Sequence, residues 1–121
     1  MNRIDLEGEH AVVTGGAQGL GFAMARRFVA SGATVTLWDL NAELLEEARA
    51  ALGEAATVVA CDVSDWEQVE AARRRMEEIA RPASILVNSA GIAGATGPLE
   101  TYDIALWKRI FEINVHGTFH T

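Results

Sequence analysis

The sequence predicts a doubly wound α/β fold with a parallel sheet, and three observations carry that expectation. Short β-branched runs alternate with longer helical segments, each run is apolar at consecutive positions, and a glycine-rich turn joins the first run to the first helix. A strand that is apolar along its whole length is buried on both faces, as happens when crossover helices cover each side of a parallel sheet.

The predicted strands span residues 11–14, 34–38, 57–60 and 85–88. The first helix is expected over 19–30, where Leu20, Ala23, Met24 and Phe28 recur at helical spacing and Gly32 follows as a stop. The second is expected over about 42–52, with Asn41 as N-cap and Gly53 beyond its end. The third opens on Ser64-Asp65-Trp66-Glu67, which reads as an S-x-x-E capping box, and runs to about Ala80 before Pro82. The last begins between Thr101 and Ala105 and is strongly amphipathic through Leu106 to Val115. Right-handed crossovers turn this β-α-β-α-β-α-β-α series into about four parallel strands in the order 3-2-1-4, with helices on both faces. Gly117 offers only a weak stop, and the apolar Phe119 follows it. The expectation is a single domain over residues 1–121 that ends midway through a larger fold.

Composition narrows the function classes. Half of the 121 residues are hydrophobic, so the chain can bury a core and is not disordered. The formal charge of −7 repels phosphate backbones and argues against nucleic acid as a partner. Backbone N–H groups at a helix start escape that count, so an anionic cofactor stays compatible. With one cysteine, Cys61, no intramolecular disulfide can form, which suits a reducing compartment. The N-terminal segment carries acidic residues where a signal peptide needs an apolar stretch, and no run is long enough to span a membrane. A cytoplasmic protein is expected.

The chemistry starts at Thr14-Gly15-Gly16-Ala17-Gln18-Gly19-Leu20-Gly21. Glycines at 15, 19 and 21 allow a tight turn and a close approach to a pyrophosphate, and the following helix directs its free N–H groups and positive dipole end at the phosphates. Gln18 and Leu20 lie within this turn. Asp39 closes the second strand, where a carboxylate accepts hydrogen bonds from both ribose hydroxyls of NAD and repels the 2′-phosphate of NADP. No Arg or Lys stands in the turn or directly after Asp39, so NAD is the expected cofactor.

With these residues assembled, the chain resembles the classical short-chain dehydrogenase/reductase family, a Rossmann-like fold, over essentially its whole length. The glycine pattern has that family's form, T-G-x-x-x-G-x-G. Asp62-Val63 matches the pair that the family places against the adenine ring. Asn88-Ser89-Ala90-Gly91 resembles its N-N-A-G, with Ser89 as the one departure, so Asn88, Ala90 and Gly91 join the implied cofactor site. Asn114 matches a helix asparagine that holds a water of the family's proton relay. The resemblance implies hydride transfer between the nicotinamide and a secondary alcohol or ketone, and a homo-oligomeric whole protein.

The family's acid–base pair is a Tyr-x-x-x-Lys, preceded by a serine. The only tyrosine here is Tyr102 and the only lysine Lys108, at a spacing that separates them on a helix and upstream of Asn114. Asn114 is thus the sole member of the catalytic group present, in a supporting role, and the 121-residue chain alone is expected to be inactive. The other readings are a stand-alone dinucleotide-binding module and an interaction fragment. His116 and His120 have metal-ligand spacing but no third ligand, so no metal is expected. Arg73-Arg74-Arg75 among glutamates reads as a salt-bridged solvent face, and Trp107 with Phe111 as core or a subunit contact.

Overall fold

The structure, a computed structural model, describes residues 2–121. Four parallel strands, β1 (His10–Thr14), β2 (Thr34–Asp39), β3 (Ala56–Ala60) and β4 (Ile85–Asn88), form one sheet in the order β3-β2-β1-β4. The expected order therefore holds. Each strand falls on its predicted run, with one more residue in β1, β2 and β3. Val13 pairs in register with Leu37 of β2 on one side and Val87 of β4 on the other. β1 thus lies between the two directions in which the chain winds.

The helices between the strands are α1 (Gly19–Ala30), α2 (Ala42–Leu52) and α3 (Trp66–Ile79), and α4 (Ile104–Phe111) follows β4. From α4 the chain continues without a break through a π-helical turn (Glu112–His116) into α5 (Gly117–His120). α1 and α2 cover one face of the sheet. Their core holds Ala11, Val13, Val35 and Leu37 from the strands with Ala25, Leu45 and Ala48 from the helices. On the other face α3 packs Val69, Ala72 and Met76 on Val12, Trp38 and Cys61. Alternate residues of one strand go to opposite layers, as the pleat requires. Burial of a side chain such as Leu37 contributes about 2–3 kcal/mol.

The S-x-x-E expectation at α3 is corrected. Asp65 is the N-cap, and its carboxylate accepts from the backbone N–H groups of Glu67 and Gln68. Ser64 instead turns its backbone N–H and hydroxyl to Oδ1 of Asp62, at 2.9 and 2.6 Å. A carboxylate one residue later is a stronger acceptor for the helix N-terminus than the serine hydroxyl.

The expectation of strands buried on both faces holds for β1 and most of β2 and fails at the two edges, partly at β3 and more fully at β4. β1 is buried throughout, whereas β4 alternates between partly buried and exposed, with Leu86 47% exposed. β4 is an edge strand paired only with β1, so one margin and much of one face stay open. Trp107, Phe111, Val115 and Phe119 also lie on an exposed helical surface rather than in the core.

His10, buried in the sheet, is fully paired. Its Nδ1 donates to the Arg81 carbonyl at 2.6 Å, and its Nε2 lies in hydrogen-bond contact with Thr36 Oγ1 at 2.7 Å. Thr36 in turn meets the Thr57 hydroxyl at 2.7 Å, so this polar file across β1, β2 and β3 leaves no donor unsatisfied.

Candidate functional site

The carboxyl ends of all four strands open into one cleft of about 520 Å³. It sits where the order reverses from β2 to β4 about β1, the place where open α/β sheets bind their ligands.

The floor is the β1–α1 turn. Gly15 has φ +61°, and a Cβ there would lie 2.9 Å from the backbone of Ala90. At Gly21 the obstacle is closer still, because a Cβ would collide with the Gly15 carbonyl. These two glycines let the turn fold under α1 and against the segment after β4. Thr14, buried at the end of β1, ties the two loops together: its Oγ1 accepts from the N–H groups of Ser89 and Ala90, both at 3.1 Å.

The helix ends differ in a way that bears on ligand binding. α2, α3 and α4 are capped by the side chains of Asn41, Asp65 and Asp103. At α1 the N-cap is Gln18, whose side chain makes no cap bond, and the first turn has no acidic residue. The N–H groups and positive dipole end of α1 therefore face the cleft with no side chain capping them.

Asp39 closes the opposite side. One carboxylate oxygen accepts from the Ala17 N–H at 3.1 Å, within the glycine-rich turn, and the other from the Asn41 N–H at 3.4 Å. The acid is thus held beside the turn at the cleft wall, next to Leu40 and Leu44.

At the third strand, Cys61, Asp62 and Val63 line the cleft. Oδ1 of Asp62 is taken by Ser64, and Oδ2 accepts from Nη2 of Arg109 at 2.9 Å. Burial pushes the Asp62 carboxyl up, but the hydrogen bonds from Ser64 and Arg109 outweigh it and hold the group below its ordinary range. Burial, together with the charges of Asp62 and Asp65, pushes the Cys61 thiol up to about 11.

Gly15, Gln18, Gly19, Leu20, Gly21, Asp39, Asp62, Val63, Ala90 and Gly91 all line this cleft. Asn88 does not; at the end of β4 its Oδ1 accepts from the Thr121 hydroxyl at 2.5 Å. Asn114, in the π-helical turn, uses its whole side-chain amide on Ile92 behind the cleft wall. Thr14 and Arg109 were not among the expected site residues. Thr14 could have been found as a hydroxyl at the end of a central strand, whereas Arg109 is remote in sequence and shows no local signal.

Tyr102 accepts from the Ala95 N–H and steadies the loop after β4. His120 Nδ1 bonds the Val63 carbonyl at 2.7 Å, and among the described residues no group of three metal-ligating side chains occurs. The arginine run on α3 forms ion pairs with Glu70, Glu77 and Glu78 on the same helix, as expected. Among the described residues no helix is long and apolar enough to cross a membrane.

A parallel sheet with an uncapped helix start and an acid at its switch point is the arrangement of a doubly wound α/β protein with its cleft at the carboxyl ends of the strands. The profile of the short chain dehydrogenase family matches residues 9–121, and the chain belongs to that family. It is 42% identical over 93% of its length to the 2-dehydro-3-deoxy-L-rhamnonate dehydrogenase (NAD(+)) of Sphingomonas sp.. It is 45% identical over 94% of its length to the galactitol 2-dehydrogenase (L-tagatose-forming) of Cereibacter sphaeroides. The chain spans 45% and 44% of the length of these two curated relatives. In three dimensions it is similar to the 3-ketoacyl-(acyl-carrier-protein) reductase of Brucella melitensis solved with NADH, with TM-score 0.93 and 34% identity over 96% of this chain and 48% of that one.

Proposed function

We propose that this chain is the cofactor-binding part of an NAD-dependent short-chain oxidoreductase that interconverts a secondary alcohol and a ketone. The open N-terminus of α1, facing the same cleft as Asp39, carries this reading. In it, the pyrophosphate takes the free N–H groups of Gly19, Leu20 and Gly21, with Gly15 and Gln18 shaping the turn beneath. Asp39 accepts from the adenosine ribose hydroxyls and places a negative charge where NADP carries its 2′-phosphate. Asp62 and Val63 form the base end, and Ala90 and Gly91 lead toward the nicotinamide. Bound there, the dinucleotide supplies the hydride acceptor or donor, and the protein fixes its position.

Asn114 contributes by holding the loop after β4. With no Tyr-x-x-x-Lys in the sequence, the 121-residue chain binds the dinucleotide without turning over alcohols or ketones. The exposed stripe of Trp107, Phe111, Val115 and Phe119 serves as a subunit contact in a homo-oligomer. The net charge of −7 disfavours nucleic acid, and the cytoplasm is the compartment that suits a single reduced cysteine.

Calorimetric titration with NAD and with NADP tests this reading. Wild type is expected to bind NAD at least about tenfold more tightly than NADP, and Asp39→Ala to narrow the difference. No binding of either dinucleotide, or a preference for NADP, would sink it.

A further inference from the structure

The ion pair between Arg109 and Asp62 stands apart from the others. Every other ion pair among the described residues joins positions three or four apart on one helix, which is a solvent-face arrangement. Arg109 reaches instead from α4 to the end of β3, 47 positions away in sequence, and the carboxylate that it meets lines the cleft. Its guanidinium is forked: Nη2 donates to Asp62 Oδ2 at 2.9 Å and Nη1 to the Ser64 hydroxyl at 2.7 Å. Ser64 in turn donates twice to Asp62 Oδ1. Three residues close a ring around one carboxylate.

The ring limits what Asp62 can still do. An ionised carboxylate accepts at roughly four lone-pair positions and donates nothing. Ser64 occupies two of them on Oδ1 and Arg109 one on Oδ2. What is left is a single acceptor position on Oδ2, and because Ser64 holds Oδ1 while Arg109 holds Oδ2, that position has a set direction. A ligand group that meets it must donate a hydrogen. A carbonyl oxygen there would face a carboxylate oxygen, acceptor against acceptor.

We infer that Arg109 is a positioning residue that, through Asp62, makes the base end of the cleft selective for a purine carrying a 6-amino group over one carrying a 6-oxo group. The inference rests on the dinucleotide reading above, with the base lying at Asp62 and Val63. Arg109 touches no ligand in this arrangement. It acts by orienting the acceptor and by keeping it ionised in a half-apolar wall beside Val63, Cys61 and Leu40.

The test compares NAD with its hypoxanthine analogue, in which the 6-amino group is replaced by oxygen, by calorimetric titration of the full chain. Wild type is expected to prefer NAD by about tenfold or more, the usual worth of a hydrogen bond to a charged group. Arg109→Met keeps the aliphatic stem and is expected to bring the two affinities within about threefold of each other, mainly by weakening NAD. Arg109→Lys, a point charge without the fork, should recover part of the preference. A merely structural role would weaken both dinucleotides equally and leave their ratio unchanged, and that result in Arg109→Met overturns the inference. Equal affinity of wild type for the two analogues does the same. Should Arg109→Met lose its far-ultraviolet helix signal, Ser64→Ala, which opens the ring from the other side, must lower the ratio in the same direction, and an unchanged ratio there overturns the inference. Wild type that binds neither dinucleotide takes down the underlying reading, a result distinct from an unaltered ratio.

Discussion

Asn114 and Ile92 form a closed pair across the back of the cleft: the Asn114 Oδ1 accepts from the Ile92 N–H and its Nδ2 donates to the Ile92 carbonyl, both at 2.9 Å. One side-chain amide thus satisfies both backbone polar groups of one residue in the loop after β4. The asparagine lies in the π-helical turn, where widening of the helix lets a residue leave the ordinary α-helical register. Gly91 makes the approach possible, because a Cβ at that position would lie only 3.2 Å from the Asn114 oxygen.

Asn114→Ala should release that loop. The expected cost is about 1–2 kcal/mol, and the amide of Ile92 should exchange with solvent about tenfold faster or more, read by hydrogen exchange. Asn114→Asp retains an acceptor for the Ile92 N–H and should protect that amide better than the alanine variant. Equal exchange in wild type and Asn114→Ala would show that the pair does not hold the loop.

Gly21→Ala puts a methyl group into the Gly15 carbonyl and must push α1 away from its turn. A loss of about 1–3 kcal/mol in thermal or denaturant unfolding is expected, with NAD binding lost. Gly97, where a Cβ would meet open space, provides the control, and Gly97→Ala should leave both unchanged.

Cys61 should be inert in the folded protein. It is 3% exposed, and its thiol, pushed up to about 11 by burial and by the nearby carboxylates, holds little thiolate at pH 8. Reaction with an aromatic disulfide at that pH should be slower by about two orders of magnitude than in denaturant, so that it reports unfolding. Rapid labelling without denaturant would mean that the third-strand end opens readily.

The Asp62 carboxyl, held below its ordinary range by Ser64 and Arg109 against the opposing effect of burial, links stability to pH. For a carboxyl whose value is lowered on folding, the stabilisation is present above the unfolded pKa of about 4 and is lost as pH falls through the lowered folded value. Arg109→Met should therefore be less stable than wild type near neutrality, by about 1 kcal/mol because both groups keep some solvent contact. The gap should close as both proteins are taken into acid through the lowered folded value, measured by urea unfolding at stepped pH. A gap that persists unchanged in acid would assign the loss to packing of the arginine stem instead.

Much of this was legible because it is local. Gly15 through Gly21 between an apolar run and a helix announce the turn, Asp39 announces the strand end, and Asn41 and Gly53 bracket α2 at the residues expected. At α3 the local reading failed by one residue, because Ser64 and Asp65 are both competent caps and only the pull of Asp62 on Ser64 decides between them.

The sequence by itself determined the class of fold, the glycine-rich turn and the place of Asp39, since periodicity and turn chemistry act over a few neighbouring residues, while Asp62, Val63, Ala90 and Gly91 came from the family resemblance. Tertiary structure alone decided that Arg109 meets Asp62, that Asn114 spends its amide on Ile92, and that Thr14 ties the loops after β1 and β4. Those pairs join residues 22 to 76 positions apart. No local pattern encodes such a meeting, because hydrogen bonds and ion pairs act only over a few ångströms, and the folded sheet is what brings these residues within that reach.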